Sequence, residues 1–254
     1  MQQWYGLSDP GMEDSLYDIE SMRRFAGIEL GVNRIPDEST ILQFRHLLER
    51  HRLTEKLFQK IEAYLSEQGL LMSERTIVDA TILHAPTSTK NQERQRDPEM
   101  KQTKKGNQWY FGMKAHVGTD TQKGLVHSVV VTDASVHDSQ ILEDLVHGAE
   151  TALYGDKAYA SEDKQRAYEA EGIDWCVSRK ARRGQALSQR DSQRNRKYNR
   201  IRAKGEHAFL VVKHLWGYRK VRYKGLMKNA TQVFSLFTLA NLYMVRKDLL
   251  LMQG

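Results

Sequence analysis

The sequence predicts a mixed α/β sheet flanked by helices and preceded by a small helical N-terminal region. Three observations carry this. Residues 1–70 place apolar side chains at helical spacing, short runs rich in β-branched residues begin after Met72, and from residue 139 helical and strand patterns alternate.

The first helical stripe is Leu16, Ile19, Met22 and Phe25, within Met12 to Phe25. Pro36 and Asp37 introduce the second, Ile41, Phe44, Leu47 and Leu48, with Ser39 or Thr40 placed to cap its first turn. Thr54 starts the third, Leu57, Ile61, Ala63, Tyr64 and Leu65, which Gly69 stops. These three helices form a small bundle over 1–70. Strands are expected at Thr76–Leu83, Trp109–Val117, Gly124–Thr132, Thr151–Tyr154 and Ile173–Val177, and helices at Ser139–His147 and Ser161–Glu171. Three consecutive strands followed by alternating helices and strands imply an antiparallel meander extended by parallel strands with crossovers. Basic inserts at 85–108 and 179–197 interrupt this second region, 71–254, and are long enough to be functional. The apolar stretch Val233–Val245 reads as a C-terminal core helix.

Composition excludes several classes. Forty per cent apolar and 28% charged residues with 4 prolines describe a folded chain, not a collagenous or disordered one. No apolar run approaches the ~18 residues of a membrane span, and the acidic N-terminus does not resemble a signal peptide, so a cytoplasmic location is expected. Cys176 has no partner for an internal disulfide, and scattered histidines without ligand spacing argue against zinc. No phosphate-binding glycine loop is present.

The net charge of +7 is concentrated. Between Arg179 and Lys228, 17 Lys and Arg face only Asp191 and Glu206, a net of +15 that leaves −8 for the rest. Such a block, interleaved with Tyr198, Phe209, Trp216, Tyr218 and Tyr223, fits a polyanion, and nucleic acid leads over a merely solvated basic face. Lys104, Lys105, Arg219, Lys220, Arg222 and Lys224 are expected to follow backbone phosphates.

Three acids are conspicuous. Asp79 interrupts the apolar strand TIVDATIL, where a carboxylate needs a cation nearby. Asp156 follows ALYG at the carboxyl end of an expected parallel strand. Glu206 lies on an expected helix with Arg202 and Lys213 four residues before and seven after, close to one face. Singly, each has an ordinary reading as a hydrogen-bonded core group, a helix cap or an intrahelical ion pair. Together they can hold paired divalent cations for phosphodiester chemistry, with Mg²⁺ suited to an all-oxygen set and Mn²⁺ as the alternative.

The segments LSDPGMEDSLYDI, PDESTILQFRHLLE, IVDATIL, STKNQERQRDPEMKQTKKGNQWYFGMKAHVG, GEHAFLVVKHLWGYRKVRYKGLMKN and LFTLANLYM resemble the DDE transposases of bacterial insertion sequences, in the group named for insertion sequence five. The resemblance covers nearly the whole chain. It implies an RNase H-like catalytic region and a metal-binding triad of Asp79, Asp156 and Glu206. It further implies cleavage of transposon ends with strand transfer into target DNA, and a homo-oligomer on DNA with terminal inverted repeats as partner. Arg202 and Lys213 fit the gaps of the family's tyrosine, arginine, glutamate and lysine signature and would contact phosphates, whereas the tyrosine place falls on Asn199 with Tyr198 displaced by one. Relatives carry a further N-terminal region, so part of the end-recognition region is expected to be missing here. The rival readings are a metal-dependent RNase H-like nuclease without strand transfer, a non-catalytic basic DNA-binding protein and an inactive remnant.

Overall fold

In the computed structural model, which describes residues 1–181 and 184–252, six strands form one mixed sheet with helices on both faces. The N-terminal helices are α1 (Gln2–Tyr5), α2 (Asp9–Asp18), α3 (Glu20–Ala26), α4 (Glu38–Arg50) and α5 (Leu53–Glu67). The first expected stripe is two helices, because Ile19 is extended at φ −107° and ψ 103°. Arg23 turns back to donate to the carbonyls of Leu16 and Tyr17, satisfying the end of α2. Met12 and Leu16 are therefore buried, while Ile19 and Phe25 stay exposed. At α4 the cap is Asp37, not Ser39 or Thr40: its carboxylate accepts from the Thr40 amide at 2.7 Å.

The sheet comprises β1 (Arg75–His84), β2 (Lys101–Lys105), β3 (Gln108–Asp120), β4 (Val126–Asp133), β5 (Ala152–Gly155) and β6 (Asp174–Val177), ordered β2-β3-β1-β5-β6 with β4 also on β3. β1 pairs antiparallel with β3 and parallel with β5, and β5 pairs parallel with β6. This is the antiparallel meander with parallel extension expected of an RNase H-like sheet.

Three expectations need correction. Insert 85–108 contains β2, whose KQTKK carries no apolar face and so gives no period-two signal; a Gly106 turn at φ +62° folds it onto β3. Insert 179–197 is helical in its second half, where α8 (Gln189–Arg202) starts with Ser188 accepting from the Asp191 amide at 3.0 Å. This helix lacks an apolar stripe, so periodicity could not reveal it; Arg182 and Arg183 lie outside the described residues. The expected helix at 139–147 is a 3-10 turn over Asp138–Gln140, capped by His137, followed by α6 (Leu142–Leu145). α7 (Glu162–Ala170) starts at Ser161 as expected.

Beyond α8 come α9 (Glu206–Leu210), a wider π turn at Val211–Leu215, α10 (Leu226–Met244) and α11 (Arg246–Leu251). α10 buries Val233, Leu236, Phe237 and Ala240 against β3, α9 and Phe58 of α5. Its Asn241 clamps the edge of β4, accepting from Val126 N at 2.8 Å and donating to Val126 O at 2.7 Å. The opposite face carries a second core, in which Val78, Leu142, Leu145, Leu153 and Tyr159 meet. Trp4, 4.9 Å from Trp216 and 5.3 Å from Tyr243 between ring centroids, fastens the N-terminus to the main core.

Candidate active site

Alternation along β1 puts Ile77, Asp79 and Thr81 on one face. The segment from Arg202 to Lys213 runs along that face. Gly205 lets it approach, since a Cβ there would lie 2.9 Å from Thr119 Oγ1 and 3.0 Å from Ile77 Cγ2. Two residues beyond the site of this contact in β1, Asp79 meets Arg202, with Nη2 3.7 Å from Oδ2. Further along, Lys213 Nζ donates to Thr81 Oγ1 at 2.8 Å and to Ile82 O at 2.9 Å.

The expected continuous helix is thus interrupted. α8 ends at Arg202, a turn through Gly205 touches the sheet, and Glu206 opens a new short helix. Arg202 and Lys213 reach β1 from either side of that turn, at Asp79 and Thr81, while Gly205 touches Ile77 between them in sequence.

Asp156 is the first residue beyond β5, which peels away from β1 at that point. The parallel register ends with Val78 opposite Gly155, so one further step sets Asp156 abreast of Asp79. The Ala158 amide donates to its Oδ1 at 2.6 Å, holding the carboxylate in a tight turn. Gly155 makes room beneath, where a Cβ would lie 3.3 Å from Tyr159, Val177 and Val78 atoms.

Burial is the main reason that the Asp79 carboxyl is pushed up to about 6; Arg202 and the Ala80 amide oppose the rise, and the carboxylates of Asp156 and Glu206 add to it. Three acids from three elements therefore share one electrostatic neighbourhood with the Arg202 guanidinium. The Asp79 side chain keeps 22% of its surface open, enough for a ligand to reach it. Among the described residues, no group of three or more His, Cys, Asp and Glu side chains is packed closely enough to grip an ion as it stands. Glu206 is exposed at the start of a five-residue helix. Mutually repelling carboxylates with hard oxygen donors fit a divalent cation such as Mg²⁺, while the buried Arg202 Nε, a donor without a hydrogen-bond partner, is open to an anionic acceptor.

The groups that support the site carry no sequence signal of their own. Asn199 Oδ1 accepts from Ser178 Oγ at 3.2 Å and from Arg202 Nη1 at 3.3 Å, linking β6 to the arginine over Asp79. Tyr198 points instead to Tyr154 and Cys176, and burial with the nearby thiol pushes its phenol up to about 12. On the Val78 face, Lys114 Nζ donates to Asp138 at 2.9 Å, and the Tyr159 hydroxyl is buried without a partner.

The cations expected on phosphates divide into groups. Burial first, and Lys105 and Arg219 next, lower the pKa of Lys213, which places these cations together near the end of β1. Lys220 joins them, bridged to His84 through the backbone. Lys104 lies over the exposed ring of Trp109, Nζ 5.8 Å from its centroid, on the β2–β3 arm. Arg222 lies away from this group, packed on Gly6, and Lys224 is paired with Glu93.

Two family models match. One, described as Transposase DDE domain, covers residues 71–242, and another, described as Transposase domain (DUF772), covers residues 1–47. No helix among the described residues is long and apolar enough to cross a membrane.

Proposed function

The chain belongs to the transposase DDE domain family, and from that premise we propose that it cuts DNA at the ends of its own element and joins them to target DNA. The observation that carries the reading is that Asp79, on a central strand and 3.7 Å from Arg202, feels the carboxylates of Asp156, at a strand end, and Glu206, at a helix start. These carboxylates are the groups that would hold the metal. When bound, a pair of Mg²⁺ ions, or Mn²⁺ in their place, supplies activation of the attacking oxygen and neutralisation of the leaving one.

The remaining work falls to the chain's own residues. Arg202, held by Asn199, offsets charge at the reacting phosphate. Lys105, Arg219 and Lys220 fix the backbone on either side, and Lys104 with Trp109 extends that track along the β2–β3 arm. Lys213 ties the segment to β1 while adding its charge. Neither step calls for a protein nucleophile: the Tyr159 phenol is buried with its pKa raised well above the ordinary value, and Tyr198 is turned to Cys176. Water serves first, and the released 3′ hydroxyl serves second in the same in-line geometry.

Membership in the insertion sequence five group, a region boundary near residue 70 and assembly as a homo-oligomer on paired ends complete the proposal. A strand-transfer assay with precleaved ends tests it. Joined products support transposition, and cutting without joining supports the nuclease reading. DNA binding indifferent to Mg²⁺ with neither activity would leave a DNA-binding protein or an inactive remnant.

A further inference from the structure

The turn between β3 and β4 packs against Lys204, two residues before Glu206. Asp120, fully buried, accepts from the amides of Gln122 at 2.6 Å, Lys123 at 2.7 Å and Leu125 at 2.9 Å, which fixes the turn's shape. Gly124 sits in the left-handed region at φ +73°, and a Cβ on it would lie 2.1 Å from the Lys204 carbonyl oxygen. That carbonyl also accepts from the His207 amide at 3.1 Å, closing the first turn that carries Glu206. The Lys204 ammonium reaches back to donate to Thr121 O at 2.9 Å. Lys204 thus grips the turn at both ends, one residue before Gly205 meets the sheet.

We propose that the β3–β4 turn is a latch that sets the position of Glu206, with Lys204 and Gly124 as positioning residues and Lys204 separate from the DNA-contacting cations of the basic block. The inference rests on the reading of Glu206 as a metal-holding carboxylate. Turn and glutamate are joined by backbone contact and one ammonium, so loosening either shifts the carboxylate relative to Asp79 and Asp156. DNA is not needed for this effect.

The test is Mn²⁺ affinity of the whole chain, measured by electron paramagnetic resonance with the metal alone. Lys204→Met keeps the side chain's length and removes its donor; it weakens Mn²⁺ binding by about tenfold, the lower range for loss of a supporting partner. Lys204→Arg retains affinity, and Gly124→Ala loses at least as much as Lys204→Met. In a Glu206→Ala background Lys204→Met has no further effect. Should Gly124→Ala fail to fold, Lys204→Met, altered at an exposed position, still decides. The latch is overturned if Glu206→Ala weakens Mn²⁺ binding while Lys204→Met does not, or if Lys204→Met weakens it equally without Glu206. Unchanged binding in Glu206→Ala itself would instead overturn the reading of Glu206, and the latch with it.

Discussion

Replacing Gly205 with alanine tests the close approach that brings the Arg202–Lys213 segment onto β1. The added methyl would stand 2.9 Å from Thr119 Oγ1 and 3.0 Å from Ile77 Cγ2, against ~3.5–4.0 Å for comfortable contact. Neither neighbour can yield easily, because both residues are fully buried and face each other across the β1–β3 ladder. The helix junction must therefore lift by roughly 0.5–1 Å. Overpacking of this kind costs about 1–3 kcal/mol, and at about 2–4 °C per kcal/mol for a chain of this size the Tm falls by roughly 2–12 °C. A displacement near 1 Å at a reacting centre costs on the order of a hundredfold in rate, so cleavage falls further than stability explains. Thr119→Ala removes the nearer contact and restores part of both losses in the double variant. Thermal unfolding and end-cleavage assays read the two effects. A Gly205→Ala protein with Tm shifted by less than about 1 °C and undiminished cleavage would refute the packing argument.

Single alanine variants of Asp79, Asp156 and Glu206 lower cleavage by about 10³-fold or more, the several kcal/mol that positioned metal ions contribute, while gel-shift affinity for DNA is largely retained. Undiminished cleavage in any one removes that residue from the site. Lys104→Ala and Lys105→Ala each reduce the slope of log affinity against log salt by about 0.9 and leave Tm unchanged, whereas Lys213→Ala lowers Tm because its ammonium anchors Thr81 and Ile82. The reverse ranking would show Lys213 to be the phosphate contact and the arm to be structural. Acid lability centres in part on His127, whose pKa falls to about 3 through burial first and the neighbouring His147 second. Between pH 6.5 and 3 the unfolded chain binds the proton and the folded one does not, so this group's contribution is full above 6.5 and declines by about 1.4 kcal/mol per pH unit below it. His127 also faces Thr76, itself bonded to Glu150, and Ser128. Urea midpoints at pH 7 and 5.5 check this, and His127→Gln flattens the difference; an unchanged slope would assign the lability elsewhere.

The sequence made the chemistry more legible than its supports. A carboxylate inside TIVDATIL and another after ALYG stand out because each breaks an apolar strand pattern, and both fall where β1 and β5 separate. β2 was hidden because it has no apolar residue, and α8 because its only apolar side chains, Tyr198 and Ile201, fall in its last turns, too few to set a period. The parts played by Gly124, Lys204 and Gly205 depend on contacts between segments some 80 residues apart, which no local pattern encodes. Asn199 illustrates the same limit. It departs from the expected tyrosine, yet the structure uses it to link Ser178 with Arg202. The basic block also mixes roles that composition cannot separate: Lys204 and Lys213 brace the fold, Lys224 pairs with Glu93, and Lys220 gathers near His84.

The central claim is that Asp79, Asp156 and Glu206 close on divalent metal. Fe²⁺ substituted for Mg²⁺, with ascorbate and peroxide, cuts the backbone beside the bound ion and reports its location directly. The expected cuts cluster near residues 79, 156 and 206, are suppressed by excess Mg²⁺ and are abolished by Asp79→Ala. Cuts confined to other parts of the chain, or unaffected by that substitution, would contradict it.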